Sequence, residues 1–326
     1  MNISVLHRQA AERLNATTYC PRRWVLIHTA VSLGASFVIA LLSLLFSQMV
    51  ANTGGLSGIG TRSMLQTIQA FLELAVMVAL PFWNISLIRA SLEWVRGRDA
   101  TPDTFFAGFR RFGPVLRVKI LTLALFVAVT VLVSNVGTVL FMLTPYADPL
   151  MKSMEPLIQD TGYFSPDLLL TDEAMAQIGS AAVPLLVFFG VLLAAVAIPV
   201  WYRVRFADYV VMEGNRARVS MLTSFHITKR KCLSVFKLDL SFWWFYLLQA
   251  LSVALFYGDS ILALWGVTLP ISAELAYVLF YALGAGCQTL LLWKYQAHIS
   301  ATYALAYEAL IAEAPILNTS PRHSEE

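Results

Sequence analysis

Residues 181–202 read AAVPLLVFFGVLLAAVAIPVWY and are followed at once by RVRFAD, residues 203–208. An uncharged run of about 20 residues is long enough to cross roughly 30 Å of hydrocarbon as a helix. Cations directly after such a run are typical of its cytoplasmic end. Similar apolar runs on either side predict an all-α, polytopic membrane helix bundle with six transmembrane helices, at 24–50, 64–92, 118–143, 181–202, 238–256 and 274–295.

The cations alternate along the chain. Lys and Arg occur four times in residues 1–23, six times in 93–119, eight times in 203–237 and twice after 293, but once in 51–63, once in 144–180 and never in 257–273. Under the positive-inside rule, the cation-rich connections and both termini are expected in the cytoplasm. We interpret these cations as anchors at an anionic leaflet, so the expected partners are the lipid bilayer and anionic headgroups, and not nucleic acid.

The spans divide the chain into three predicted parts. A cytoplasmic segment, 1–23, precedes a single membrane domain, 24–313, and a polar tail, 314–326, follows it. With 58% hydrophobic and 13% charged residues, the composition is far from that of a soluble domain. The first apolar run is longer than the roughly 7 to 15 residues of a signal peptide, so we expect it to stay in the membrane. An amphipathic helix is expected before it, over residues 5–14.

Cysteine and histidine give no sign of metal or redox chemistry. The three cysteines form no Cys-x-x-Cys pair, and the five histidines have no ligand spacing. We therefore expect no disulfide, no metal and no cofactor.

The loop after the second span predicts an amphipathic elbow helix on the cytoplasmic side. Thr101-Pro102-Asp103 is a helix start, with a capping side chain, a proline in the first turn and an acid after it. The apolar face then carries Phe105, Phe106, Phe109 and Phe112, and the other face carries Arg110 and Arg111. Aromatic and basic faces of this kind favour a helix lying in the membrane interface.

A second elbow is predicted after the fourth span. A break at Gly214-Asn215 is followed by Met221, Leu222 and Phe225, in the relative positions of Phe105, Phe106 and Phe109, and then by Lys229, Arg230 and Lys231. Before the first elbow, Arg89 and Glu93 are spaced to share a helix face. The two elbows suggest a repeated hairpin. Short basic linkers between spans also give this pattern by chance.

The region from Arg203 to Tyr307 resembles a known family of membrane proteins. Its motifs are, in chain order, Arg205-Phe-Ala-Asp-Tyr209, Thr228-Lys-Arg-Lys231, Phe236-Lys-Leu-Asp-Leu-Ser-Phe-Trp-Trp244, Tyr257-Gly258 and Thr302-Tyr-Ala-Leu-Ala-Tyr-Glu308. They are similar to the bacterial integral-membrane proteins of domain-of-unknown-function family 975. Phe106-Ala-Gly-Phe109 also resembles the membrane region of some glycerophosphodiester phosphodiesterases. The resemblance implies a multi-pass protein of the bacterial cytoplasmic membrane, and it implies no site residue because the family has no settled function.

A polar stripe lies in the second predicted span. At 100° per residue, one side of this helix carries Gln66, Gln69, Glu73 and Asn84. A carboxylate in hydrocarbon costs about 2.5–3.5 kcal/mol, so we expect Glu73 to face the bundle interior and to be paired or protonated. The sixth span has a similar stripe that includes Tyr281 and Gln288. Such stripes could line a cavity, but polar residues also pack membrane helices together without any ligand.

These patterns leave more than one function open. The favoured hypothesis is a non-enzymatic, transporter-like protein that handles or senses a small or amphiphilic molecule through the bundle interior around Glu73. The alternative is a scaffold or assembly subunit whose basic elbows dock a cytoplasmic protein partner or lipid headgroups. An enzyme comes third, because the sequence shows no nucleophile and base close together, although residues distant in sequence could converge in space.

Overall fold

The computed structural model describes residues 2–52, 58–149, 151–152, 172–267 and 272–314, and every regular element among them is helical. The all-α prediction is therefore confirmed. The helices are α1 (Ile3–Ala16), α2 (Pro21–Asn52), α3 (Gly58–Val95), α4 (Ala107–Arg110), α5 (Phe112–Met142), α6 (Asp172–Val204), α7 (Ala207–Met212), α8 (Ala217–Ile227), α9 (Cys232–Leu240), α10 (Trp243–Phe256), α11 (Gly258–Leu264) and α12 (Ala273–Ala312), with a 3₁₀ helix at Pro102–Phe106.

Four stretches of the described helices are long and apolar enough to cross a membrane: Ser63–Val95, Phe112–Met142, Val183–Met212 and Leu275–Ala312. They contain or closely match four of the predicted spans. The bent pair Cys232–Leu240 and Trp243–Phe256 gives a fifth candidate. The first predicted span, 24–50, falls within α2, whose side chains are only partly described. The chain is thus a helical protein with four or five candidate membrane spans in the part that the structure describes.

The last helix is much longer than the predicted span. The sequence predicts an end near residue 295, but α12 continues without a break to Ala312, and its 40 residues give a length of about 60 Å. Residues 296–312 contain neither glycine nor proline and are rich in alanine, so nothing in this stretch ends the helix. The final turns of α12 therefore extend beyond the apolar segment and carry polar side chains.

The predicted fifth span, 238–256, is not one straight helix. Helices α9 and α10 meet at an angle of 60°, with Ser241 and Phe242 between them. The Ser241 hydroxyl donates to the carbonyl oxygen of Leu238 at 2.6 Å, a local bond that competes with regular helix geometry. Asp239 lies in the last turn of α9.

The contacts group the chain into two compact units, residues 1–118 with 206–326, and residues 119–205. The predicted division into a segment 1–23, a domain 24–313 and a tail 314–326 stays a prediction, and the tail lies outside the described residues except for Ala314.

Helix α12 is the central element of the first unit. It packs against α1, α2, α3, α10 and α11. Helix α1, predicted as an amphipathic helix on the membrane surface, buries Leu6 and Ala10 and contacts both α12 and α3. The N-terminal segment is therefore part of the folded unit.

The second unit contains most of α5 and all of α6. Phe141 and Ala147 are buried against Leu185, Phe188 and Phe189. A side chain at Gly137 would place its Cβ only 2.7 Å from the Phe189 ring, so this glycine permits the close approach of the two helices. The described core of this unit is thus apolar and aromatic.

The first predicted elbow is a 3₁₀ helix followed by the single turn α4, and it packs tightly on α3. Thr101 precedes it without the predicted side-chain cap, and Pro102 occupies the first turn. Gly108 faces α3 so closely that a Cβ there would lie 2.0 Å from the carbonyl oxygen of Phe82. Only glycine allows this contact, because the atom opposite belongs to the backbone of a helix.

Replacing Gly108 by alanine should therefore destabilise the protein. The new methyl group cannot be accommodated by a side-chain rotation, so the elbow has to move away from α3. We expect a cost of about 1–3 kcal/mol, typical of overpacking, and a melting temperature lower by several degrees. Thermal unfolding of the detergent-solubilised protein, followed by tryptophan fluorescence, measures this.

Gly113→Ala is the matched control, because no atom lies within 4 Å of a Cβ at Gly113, in the first turn of α5. Equal stability of the two variants would contradict the tight packing of the elbow on α3.

Candidate functional site

The ends of α3, α7 and α12 are joined by a cluster of ion pairs. Arg96, just after α3, donates from Nε to Glu308 Oε1 at 2.8 Å and from Nη2 to Glu213 Oε1. The hydroxyl of Tyr307, which is completely buried, donates to the other oxygen of Glu213 at 2.6 Å. One guanidinium thus holds together three segments that are far apart in sequence.

Electrostatics keep this guanidinium charged. Burial on its own lowers the pKa of Arg96, but hydrogen bonds and charge interactions with Glu213 and Glu308 outweigh it and raise the pKa above the ordinary value. A group that is charged at every accessible pH and has two carboxylate partners is suited to a structural role. The cluster therefore fixes the frame in which neighbouring residues lie.

A second set of ion pairs surrounds Glu93, which is nearly buried at the end of α3. Arg89 Nη2 lies 2.5 Å from Glu93 Oε1, and Arg98 Nε lies 2.7 Å from Glu93 Oε2. The first of these is the pair that the helical spacing predicts. Arg89 also donates to the carbonyl oxygen of Met212, at the end of α7, at 3.4 Å.

Beside Glu93 lies a cavity of about 500 Å³, which we call the arginine pocket. Four arginines and three acids are among its lining residues: Arg89, Arg98, Arg110, Arg111, Glu93, Asp99 and Asp103. Several guanidinium groups around one cavity favour a carboxylate or phosphate ligand, because their planar forks match the oxygens of such groups.

Both arginines of the first predicted elbow line this pocket, and both also have partners in the protein. Arg110 Nη2 pairs with Asp103 Oδ1 at 2.8 Å, and both side chains are well exposed. Arg111 Nη1 donates to the carbonyl oxygen of Val211 at 3.0 Å. Arg111 packs beside Gly214, whose φ of +109° marks the predicted break after α7. Arg111 thus connects the elbow to α7.

The aromatic side chains of this elbow divide between buried and exposed positions. Phe105 stacks on Trp24 and Trp83, with ring centroids 4.3 and 5.7 Å apart, while Phe112 stacks on Phe82 at 4.5 Å. Phe106 and Phe109 remain 57% and 38% exposed. The face predicted to contact lipid is therefore partly used for packing within the protein.

The second elbow contributes nothing to the lining of the arginine pocket in the part of the chain described. In α8 and the turn after it, Phe225 is half-buried, and Lys229 and Arg230 are exposed. Lys231 Nζ pairs with Glu313 Oε2 at 2.8 Å, and this hydrogen bond lowers the pKa of the Glu313 carboxyl. One predicted cation of this elbow therefore joins α9 to the end of α12.

The two elbows nevertheless show the same order of exposure along the chain. Phe106 and Leu222, at equivalent positions of the proposed repeat, are the most exposed apolar residues of each elbow, whereas Met221 is buried. The secondary structure differs, since one elbow is a 3₁₀ helix with one α-turn and the other an 11-residue α-helix.

The polar stripe of the second predicted span lies along α3. Gln69 Nε2 donates to Glu73 Oε1 at 2.9 Å, so the two side chains share a helix face as predicted. Glu73, Gln66 and Asn84 are exposed. The proposal of an enclosed site around Glu73 thus gains no support from burial.

The polar residues of the last span have aromatic surroundings. Tyr281 contacts Phe37 and Phe256, with ring centroids 5.5 and 5.1 Å apart. Gln288, two turns further along α12, is half-buried.

Sequence reasoning missed a hydrogen-bonded chain that holds α1 in place. His7 Nδ1 lies 3.0 Å from His298 Nε2, and His7 Nε2 lies 3.0 Å from the Ser241 hydroxyl. The His7 ring also packs edge-on against Phe242. A serine, a histidine and a second histidine in this order are the arrangement of a nucleophile, a base and an orienting group.

The Ser241 hydroxyl sets the direction of these hydrogen bonds. Ser241 donates its one proton to the carbonyl oxygen of Leu238 at 2.6 Å. It therefore accepts from His7 Nε2–H, and His7 Nδ1 accepts from His298 Nε2–H, which satisfies all three groups with one proton each. We interpret these two hydrogen bonds, which we call the His7 latch, as a structural connection between α1, the α9–α10 bend and α12. No local pattern could have revealed it, because residues 7 and 298 are 291 positions apart.

Comparison with family models, with curated proteins and with solved structures finds no match for this chain. The resemblance to family 975 therefore stays a prediction, and the assignment of function rests on the residues.

Acidification should weaken the His7 latch. Burial lowers the pKa of His7 below its ordinary value of 6.5, so the folded protein binds fewer protons at this site than the unfolded chain does. Its contribution to stability is complete above pH 6.5 and is lost as the pH falls through 6.5 toward the lower folded value. The melting temperature of the wild type should therefore fall between pH 7.5 and 5.5 by more than that of His7→Gln.

His226→Gln, on an exposed position of α8, is the control and should keep the wild-type pH dependence. If the melting temperatures of His7→Gln and the wild type fall equally between pH 7.5 and 5.5, protonation of His7 is not the cause of the loss of stability.

Proposed function

We propose that this chain is a six-span, non-enzymatic protein of the bacterial cytoplasmic membrane, with both termini in the cytoplasm, that docks an acidic or phosphorylated segment of a cytoplasmic protein. The candidate spans and the alternating cations support the topology. The single observation that carries the docking function is the arginine pocket, two of whose lining arginines, Arg110 and Arg111, belong to the first elbow.

The charge arrangement in the pocket supports binding of an anion. Glu93 and Asp103 are each paired with arginines of the lining, so these acids fix the guanidinium groups in position. Each guanidinium has five N–H donors, and the pairs use only some of them. The remaining donors can serve oxygens of a ligand, and carboxylate or phosphate groups are the chemistry that fits best.

The exposed aromatic residues of the first elbow support a protein partner. Phe106, Phe109 and Phe112 are 57%, 38% and 46% exposed and lie next to Arg110 and Arg111 in the chain. Aromatic residues and arginine are the types most enriched at the centre of protein interfaces. A segment that combines acidic groups with apolar side chains would match both features, which a free anion would not.

The other hypothesis from the sequence is that the protein handles an amphiphile through the bundle interior near Glu73. The two hypotheses differ in whether Glu73 is needed. Glu73 is exposed and shares a face of α3 with Gln69, about 24 Å along the helix from Arg89 of the arginine pocket. A docking function predicts that Glu73 is dispensable, whereas a transport function predicts that it is required.

Removing Arg110 should weaken docking without unfolding the protein, because its side chain is 62% exposed and its one ion pair is with the exposed Asp103. We expect Arg110→Gln to raise the Kd for an acidic phosphopeptide about tenfold, the effect of losing one charge-assisted hydrogen bond. Fluorescence anisotropy with a labelled peptide and the purified full-length protein measures this.

Arg230→Gln removes the same charge from the second elbow, outside the arginine pocket, and should leave the Kd unchanged. Glu73→Gln should also bind normally. If Glu73→Gln loses binding or transport of an amphiphile while Arg110→Gln behaves as the wild type, the docking proposal is wrong.

A further inference from the structure

A second cavity of the first unit lies where the N-terminal segment meets the loop after α3. Its volume is about 710 Å³, and it is lined by the connection between α1 and α2, the first turns of α2, the end of α3 and residues 100–105. Small-molecule sites usually measure roughly 300–1,000 Å³. We call this cavity the aromatic cleft.

The walls of the aromatic cleft are rigid rings. Trp24 and Phe105 stack with nearly parallel planes and ring centroids 4.3 Å apart, and Trp94 is perpendicular to Trp24 with a centroid distance of 5.8 Å. Trp24 and Trp94 are only 7% and 1% exposed. Because these large side chains are packed on several sides, the cleft is a built feature of the fold and not a gap left by a mobile surface side chain.

Further contacts fix this wall from within the protein. Trp24 also stacks on His28, whose centroid lies 5.4 Å away. His28 Nε2 lies 3.1 Å from the carbonyl oxygen of Trp83, and the indole N–H of Trp83 donates to the carbonyl oxygen of His28 at the same distance. Helices α2 and α3 are thus tied together directly beside the cleft.

The one charged side chain among the described residues of the lining is a cation. Arg23 lines it and is exposed, and no acidic side chain is among the described residues of the lining. The guanidinium group of Arg23 favours a ligand with oxygen acceptors and negative charge.

An apolar stripe continues from the cleft along α2. Ile27 lines the cleft and is 52% exposed. Val31, Val38, Leu41 and Leu45 follow at spacings of three, four and seven residues, and all four are between 43% and 54% exposed. They therefore share one helix face, which extends about 27 Å from Ile27. An acyl chain is the ligand part that such a face accommodates.

We propose that the aromatic cleft binds one anionic glycerophospholipid, with its phosphate at Arg23 and its acyl chains along the stripe of α2. The charge of the lining, the aromatic walls and the length of the apolar stripe together match an amphiphile with an anionic head. The proposed topology adds only that this lipid comes from the inner leaflet, so the binding itself is independent of the docking function.

Cys20 offers a direct measure of occupancy, because it is an exposed free thiol that lines the cleft. The full-length protein in neutral detergent is treated with a maleimide, and the rates at Cys20 and Cys232 are followed by mass spectrometry. Phosphatidylglycerol in mixed micelles should slow the reaction of Cys20 at least threefold and leave Cys232, which lies outside the cleft, unchanged. Phosphatidylcholine and inorganic phosphate should have little effect.

Arg23→Gln should abolish this protection, whereas Arg22→Gln, which removes the neighbouring exposed cation outside the lining, should retain it. A shift of the melting temperature by phosphatidylglycerol, present in the wild type and Arg22→Gln but absent in Arg23→Gln, is the second readout.

Three results overturn the proposal: equal protection by phosphatidylcholine, protection by phosphate alone, or full protection of Arg23→Gln. A failure here leaves the arginine pocket untouched, since Arg110→Gln, and not Arg23→Gln, tests the docking function.

Discussion

The bridge from Arg96 to Glu213 and Glu308 is the interaction on which the first unit depends. Its partners are 117 and 212 residues away in the sequence, so no local preference brings them together. Once formed, it places the ends of α3, α7 and α12 side by side. The arginine pocket follows from that arrangement, because Arg89 and Arg111 then reach carbonyl oxygens at the end of α7. Breaking the bridge would leave two carboxylates without their shared cation, which is costly where Tyr307 is buried against them.

The sequence predicts a helix correctly where the apolar composition of a long segment determines it. It fails where one side-chain contact determines where a helix bends or ends. Apolar length alone locates α3, α5, α6 and α12, since a long run without charge has few stable alternatives to a helix. The break between α9 and α10 is different, because it depends on Ser241 bonding backwards to Leu238 and accepting from His7. The extension of α12 past residue 295 was missed because the hydropathy falls there, while the helix preference of the residues does not.

The sequence predicts which types of residue form the candidate sites, but it does not predict which residues contact one another there. The spacing of Arg110, Arg111 and the four phenylalanines predicts an elbow with a basic and an aromatic face. In the structure both arginines line the arginine pocket, whereas Phe105 lines the aromatic cleft. Nothing in the sequence indicates that Phe105 stacks on Trp24 or that Gly108 touches the backbone of Phe82. Such contacts join elements that are neighbours only after folding. The periodicity of residues within one helix therefore cannot predict them.

The cost of placing charge in a bilayer explains why the arginine pocket lies at helix ends and not along the middle of the long helices. Helices α3 and α12 are 38 and 40 residues long, nearly twice the roughly 20 residues that hydrocarbon requires. The surplus turns can hold ion pairs at a cost far below that of a charge within the bilayer. Arg96 and Glu308 lie in or next to these surplus turns, where several arginines and acids can form one network. Glu73 lies far from either end of α3 and shares its helix face with Gln69, so its hydrogen bond from Gln69 is made within one helix, whereas the charged groups at the helix ends connect different helices.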